Sequence, residues 1–415
     1  MAAAQAGIWQ LPSMALDPSQ TLQSYALVAA GDGPRRWTLA IHGPIALPHD
    51  KVLQLREFWI DPRQPQRSAM HILAALDHDL QAGLAVAGYW SYELGAALER
   101  TPRPQTMADA AWITFHIRDL QPITLPSVVA PTAPLAAPAD LLRQRDSFLT
   151  SAARVHEAIV AGDVYQVNLT CEFQLAMPAP RLEQAVAAVL AAQPVPFAMG
   201  LQLGNATVVS GSMERFLAVD GAAVRSRPIK GTAPRGHDPD SDAVQRQWLL
   251  SQDKERAENT MIVDMVRNDL QRACQTGSVA VPELLACEPY ATLWHLESEV
   301  TGRLREVGNF TQLLTATLPP ASVTGCPKIR AMEVIDALEL RPRGVYCGAL
   351  GLLWPDHQAE LAVAIRTLWW HAGHCSTAVG AGLVADSVAE AEWRETVLKA
   401  QAALRTLASL GAAWP

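Results

Sequence analysis

The chain of 415 residues has 33 Lys plus Arg, only five of them lysines. Four of those five fall in segments that look chemical: Lys230 in RPIKGT, Lys254 in QDKERAEN, Lys328 in TGCPKIR and Lys399 in EWRETVLKA; Lys51 stands apart. A guanidinium stays protonated at any usable pH, whereas an ammonium is compact and can lose its proton when desolvated, becoming a nucleophile or base. Lys230 is bracketed by Pro228-Ile229 and Gly231-Thr232, a stiff residue before it and a flexible one after. It is either an activated amine or a solvated loop lysine. Glu214, in SGSMERF at the entry of an apolar run, is either a general acid or the solvated end of a strand.

Carboxylates form the second group. Glu255 and Glu258 lie three apart in one helical pattern, and Glu392 and Glu395 repeat that spacing in the last one, so each pair shares a helix face. Two such pairs facing across a cleft suit Mg²⁺, which takes one or two protein carboxylates and keeps water or substrate oxygens for the rest. Read singly, each pair is an ordinary solvated face, with Lys399 one turn from Glu395 at ion-pair spacing. Gly380-Ala381-Gly382, after a strand, and Gly231-Thr232 offer amides to a carboxylate, or are simply turns. His295 among apolar neighbours is a substrate contact or a satisfied core residue. Tyr346 is a ligand donor or core, and Arg366 in the apolar strand-like AVAIRTL needs an anion.

The whole chain limits what these groups serve. A net charge of −8 without any basic stretch argues against nucleic acid or an anionic membrane as partner. The six cysteines lie singly, as reduced thiols of a cytoplasmic protein would. The start, MAAAQAGIWQLPSM, lacks a signal-peptide pattern, and no apolar run is long enough for a bilayer.

The elements that must position these residues follow from periodicity. Helices are expected at 68–80, 143–161, 242–272 and 388–407. Strands are expected at 83–92, 164–175, 206–210, 216–219, 348–354, 360–370 and 375–379. The order lacks a regular βαβ repeat and predicts an α+β fold. Residues 121–139, rich in Pro and Ala, read as a connector between an N-terminal region, 1–120, that contributes to the same α+β unit and a catalytic region, 140–415.

In order and spacing, GDVYQVNLT, SMERF, RPIKGTAPRG, DKERAENTMIVDMVRNDL, VTGCPKIRAMEVID, YCGALG, AIRTL, GAGLVADS and AEWRETVLKA resemble the chorismate-utilising enzymes. Within them the likeness is greatest to component I of the aminodeoxychorismate synthases, relatives of anthranilate synthase component I. Upstream of the connector only GYWSYELG is familiar. The resemblance implies two large β-sheets packed over a core with helices outside. It implies that Lys230, which anthranilate synthases replace by alanine, attacks C2 of chorismate as the C4 hydroxyl leaves with a proton from Glu214. Ammonia then adds at C4 and expels the lysine, giving 4-amino-4-deoxychorismate on the way to 4-aminobenzoate and folate.

The same resemblance assigns Glu258 and Glu395 to Mg²⁺, with Glu255 and Glu392 as neighbouring or water-mediated partners. Lys399 and the amides of Gly380, Ala381 and Gly382 would assist at the ring carboxylate. Tyr346 and Arg366 would hold the enolpyruvyl carboxylate, and Gly231, Thr232 and His295 would lie near the ring, with Lys328 in a loop of the site. Gln166 stands where water-using members carry a lysine base, which implies ammonia as nucleophile. No glutaminase signature is present, so a separate glutamine amidotransferase subunit is expected, and a separate lyase downstream. The rival readings are an anthranilate synthase component I, which eliminates pyruvate, and a non-catalytic binding or scaffolding relative. The chain departs from the pattern at Met213, at Pro319-Pro320-Ala321 and at Cys326, and shows no recognisable tryptophan-binding motif.

Overall fold

The computed structural model describes residues 24–29, 45–99, 107–290 and 293–412; the N-terminal segment read for a signal lies outside them. Runs of apolar and β-branched residues pair here as two wholly antiparallel sheets. The nine-stranded sheet runs Gly325–Cys326, Gln166–Ala176, His374–Leu383, Thr367–His371, Ala206–Ser212, Phe197–Leu203, Ser24–Ala29, Ile45–Ala46 and Gln121–Pro122. The ten-stranded sheet runs Ile229–Pro234, Leu293–Arg303, Ala223–Arg227, Arg215–Asp220, Gln358–Val363, Ala349–Trp354, Ala85–Trp90, Ala110–Phe115 and Gln54–Phe58, with Ala280–Pro289 also on Leu293–Arg303. The fold is α+β.

One apolar cluster draws on both sheets: Val167, Leu169 and Phe173 from the first, Phe216, Leu217, Leu352 and Leu361 from the second. Burial at this scale, about 25 cal/mol per Å² of apolar surface, holds the sheets face to face. A second cluster covers the other side of the nine-stranded sheet, where Leu182, Val186 and Val189 of the Leu182–Ala192 helix meet Val209, Leu368 and Leu407. The strand Ala85–Trp90 lies inside the ten-stranded sheet, against Ala349–Trp354. Residues 123–138 of the connector have no regular structure, and Gln401 pins them by bonding both the N–H and the carbonyl of Leu135.

Four expected elements divide or extend. The helix 242–272 is two, Pro239–Leu250 and Asp253–Ala273, broken where the Ser251 hydroxyl donates back to the Trp248 carbonyl, at 2.7 Å, in competition with the helix. The last helix also divides, at Ala400, into Ala389–Lys399 and Gln401–Ser409. The strand 360–370 becomes Gln358–Val363 and Thr367–His371, one in each sheet. YWSYELG ends its strand at Trp90 and turns into a helix, Tyr92–Glu99.

Candidate active site

Lys230 owes its place to a strand irregularity. Ile229–Pro234 is an edge strand, and its pairing runs from Ile229 opposite Glu297 to Thr232 opposite His295, one residue more than its partner uses. The bulge falls at Lys230-Gly231, and bulges re-aim side chains. Gly231 has φ +90°, and a Cβ there would lie 3.1 Å from the Glu255 Cβ and 3.2 Å from its Oε2. Backbone conformation and the close approach of the Asp253–Ala273 helix both demand glycine. The Lys230 Nζ reaches across to the other sheet, 3.5 Å from where a Cβ on Gly382 would be.

Two crossings join the sheets next to it. Met213-Glu214 carries the chain from Ala206–Ser212 to Arg215–Asp220, and Ala364-Ile365-Arg366 carries it back from Gln358–Val363 to Thr367–His371. They are laced together: the Val363 N–H donates to the Glu214 carbonyl at 3.1 Å and the Gly211 N–H to the Arg366 carbonyl at 2.9 Å. Arg366 is therefore not inside a strand, as its apolar neighbours suggest; it sits at the seam with φ +53°. Its guanidinium donates to Gln193 Oε1 at 2.7 Å, and burial lowers its pKa, with Tyr346 close enough to oppose the shift. Among the described residues it makes no ion pair with a carboxylate.

Glu214 is buried, at 5 % exposure, and that burial pushes its carboxyl up to about 7 despite the Lys230 charge and the approach of Ser322. A carboxyl so placed keeps a protonated fraction at neutral pH, which a general acid needs. Met213, where the family pattern has proline, packs into the apolar cluster behind the nine-stranded sheet.

The two helices bring their glutamates together. The Lys254 ammonium lies 3.1 Å from Glu392 Oε1 and 4.0 Å from Glu258 Oε1, and Lys399 lies 2.8 Å from Glu395. Burial raises Glu255 and Glu258, each helped by a neighbouring glutamate, with Lys230 and Lys254 opposing. Burial would raise Glu395 too, yet Lys399, Lys254 and Lys230 hold it below its ordinary range. Lys254, given no role from the sequence, is the cation that bridges the two helices; its signal was one turn of spacing to Glu258. Among the described residues no three His, Cys, Asp or Glu form a ligand cluster. The donor chemistry nevertheless fits Mg²⁺, which needs only one or two hard carboxylates.

The remaining candidates divide. Thr232 Oγ1 meets His295 Nδ1 at 3.1 Å; the buried Nε2 has no partner among the described residues, and burial pushes the ring down to about 4, leaving it neutral. Tyr290, missed from sequence, packs its ring edge on His295 at 4.8 Å. The Gln166 amide points to Glu258 at 3.5 Å, its buried oxygen unpartnered among the described residues. Gly380, Ala381 and Gly382 do not follow a strand; they are inside it, opposite Thr170, Leu169 and Asn168. Their small size is set by contact, since a Cβ on Gly380 would meet the Leu169 carbonyl at 2.4 Å. Lys399 donates to the Gly380 carbonyl at 3.1 Å. Tyr346 is buried beside Arg366, and burial raises its hydroxyl pKa. Lys328 is committed elsewhere: its ammonium donates to Asp269, at 2.5 Å, and to the carbonyls of Thr317 and Pro319. Three donors thus spent leave none for a substrate carboxylate.

Residues 52–405 match the family described as chorismate binding enzyme. The chain belongs to that family. It is 36% identical over 372 residues to aminodeoxychorismate synthase component 1 of Salmonella typhimurium, covering 83% of this chain and 81% of the relative. It is 40% identical over 258 residues to anthranilate synthase component 1 of Streptomyces coelicolor, covering 62% of this chain and 50% of the relative. In structure it superposes on anthranilate synthase component I of Streptococcus pneumoniae with a TM-score of 0.71 at 22% identity, over 96% of this chain and 94% of the other. The 2,3-dihydroxybenzoate-specific isochorismate synthase of Bacillus anthracis gives 0.70 at 21% identity, over 95% and 97%. These structures share the fold. No helix among the described residues is long and apolar enough to cross a membrane.

Proposed function

We propose that the chain aminates chorismate to 4-amino-4-deoxychorismate. The observation that carries this reading is Lys230 facing a buried carboxyl, Glu214, whose pKa lies at about 7. The neutral lysine amine bonds to C2 of the ring, both conjugated ring double bonds shift, and the C4 hydroxyl departs as water with the Glu214 proton. Ammonia then forms a bond to C4, both double bonds shift back, the C2–Lys230 bond breaks, and the proton shed by the added nitrogen returns to Glu214. Gln166 supplies no base to activate water, which favours ammonia over hydration. Arg366 and Tyr346 hold the enolpyruvyl carboxylate, the neutral His295 and Thr232 line the ring, and Lys399 assists at the ring carboxylate.

Glu258 and Glu395 would hold Mg²⁺, with Glu255 and Glu392 beside them. When bound, the ion supplies positive charge to a carboxylate that four glutamates would otherwise repel. Aminodeoxychorismate synthase component 1 is named as one part of a synthase. We take the ammonia source here to be a glutamine amidotransferase subunit, with a separate lyase consuming the product in the cytoplasm.

The test is to incubate the chain with chorismate, Mg²⁺ and ammonium, and to measure pyruvate. No pyruvate until a lyase is added supports the reading; stoichiometric pyruvate from this chain alone makes it an anthranilate-forming enzyme. A Lys230→Ala variant that keeps wild-type amination removes the covalent step.

A further inference from the structure

The segment GYWSYELG has no part in the chemistry above, yet it is bonded to the turn that leads into Tyr346. The Glu93 carboxyl group accepts the Arg343 N–H at 2.7 Å on one oxygen and the Gly344 N–H at 2.9 Å on the other. The Tyr92 N–H donates to the Gly344 carbonyl at 2.9 Å, and its ring lies under the Arg343 guanidinium at 4.7 Å. That guanidinium is itself a knot. It donates to Glu339 through two nitrogens at 2.8 and 2.6 Å, to the Asn168 carbonyl at 2.6 Å and to the Val323 carbonyl at 2.8 Å. Asn168 lies on the strand that starts with Gln166, and Val323 follows Ser322, which faces Glu214. Two residues past Gly344 comes Tyr346, beside Arg366.

We propose that Glu93 and Arg343 are positioning residues for substrate binding: Glu93 fixes the Arg343-Gly344 turn, and the turn sets Tyr346 against Arg366. The bonds are geometric and directional. A carboxyl group that accepts one N–H on each oxygen fixes both the height and the rotation of a turn. The turn needs such a clamp, because Gly344 and Cys347 stand at φ +61° and +65° and the Cys347 conformation is costly for a side chain. Arg343, Glu93 and Glu339 are 4, 3 and 8 % exposed, so no water stands in for a lost partner. Glu93 enters from the far side of the Pro-rich connector, so the N-terminal region takes part in substrate recognition without touching substrate. The inference deepens the proposed reading by assigning Tyr346 and Arg366 to the enolpyruvyl carboxylate, but it does not depend on which reaction follows binding.

The experiment uses the full chain and chorismate. Glu93→Gln keeps the volume but turns one accepting oxygen into a donor that faces a backbone N–H. Affinity is read without turnover from quenching of the intrinsic tryptophan fluorescence, and kinetics from chorismate consumption with saturating ammonium. We expect chorismate Kd and KM to rise about tenfold while kcat changes less than about twofold. Asp77→Asn is the matched control: that carboxylate also accepts two backbone amides, of Phe310 and Thr311, at a helix start outside the pocket, and should leave Kd unchanged. A Tyr346→Phe background should absorb most of the Glu93→Gln effect on Kd. An unchanged Kd in Glu93→Gln, an equal rise in Asp77→Asn, or full additivity with Tyr346→Phe overturns the proposal. If Glu93→Gln does not fold, Arg343→Lys keeps the charge but loses the forked contacts, and the same comparison applies. Pyruvate release would overturn the amination reading and leave this one standing.

Discussion

One methyl group tests whether the glycines near Lys230 are set by the site or by the sheet. A Cβ on Gly382 would lie 2.6 Å from Gln166 Nε2 and 3.5 Å from Lys230 Nζ, and on Gly380 it would lie 2.4 Å from the Leu169 carbonyl oxygen. Ordinary contact begins at about 3.5 Å, so each methyl demands a displacement of about 1 Å. What differs is the group displaced. At 382 the end of a glutamine side chain swings away, which costs less than about 1.5 kcal/mol of stability. At 380 the backbone of the paired strand must move, which costs about 1–3 kcal/mol and strains the ladder from 374 to 383. On the proposed reading, misplacement of about 1 Å beside the Lys230 amine lowers rate on the order of 10²-fold. Gly382→Ala should therefore lose about two decades of chorismate turnover with a nearly unchanged melting temperature. Gly380→Ala should melt several degrees lower. Turnover and unfolding are followed on the same preparations. If Gly382→Ala turns over like wild type, or if both variants lose stability and rate in the same proportion, the argument from contact distances is wrong.

Other consequences are as concrete. Lys328→Met leaves Asp269 buried and unpaired, so it should cost about 3 kcal/mol in urea unfolding while chorismate affinity stays unchanged. Glu214 should titrate at about pH 7 in difference infrared spectra, and higher in Lys230→Met, because removing the cation disfavours the carboxylate. Glu93 and Glu214, raised from 4.5 to about 8 and about 7, keep protons in the folded state that the unfolded chain has lost. Stability should then fall as pH rises from about 5 to about 8, and Glu93→Gln should flatten the upper part of that slope in urea melts. Calorimetric Mg²⁺ binding should vanish in Glu258→Gln and Glu395→Gln and survive in Glu283→Gln, whose carboxylate pairs with Arg227.

Much of the site was legible because its parts are local. Spacing of three on a helix put Glu255 with Glu258 and Glu392 with Glu395, and only their union across two helices needed tertiary structure. Lys230 could be singled out by type, but the bulge that aims it depends on Leu293–Arg303, a strand with no clear period in the sequence. Arg366 misled because an apolar run looks the same whether it stays in one sheet or changes sheets midway. Lys328 misled for a different reason: a motif gives the residue but not its partners, and Asp269 lies 59 positions away. Lys254 was noted without a role and Glu93 was not noted, because their partners, Glu392 and the Arg343-Gly344 amides, are more remote still.

The seam where Glu214 and Arg366 change sheets also bears on how the molecule would move. Each lies on a short crossing strung between the two sheets, and each is bonded through its carbonyl to a strand that flanks the other crossing. A change in the angle between the sheets would displace the Glu214 carboxyl and the Arg366 guanidinium together, as two points on one hinge pin. Selection acting on either residue therefore acts on the packing of the whole interface, and substitutions deep between the sheets, such as at Phe216 or Leu361, become means of retuning the site from outside it.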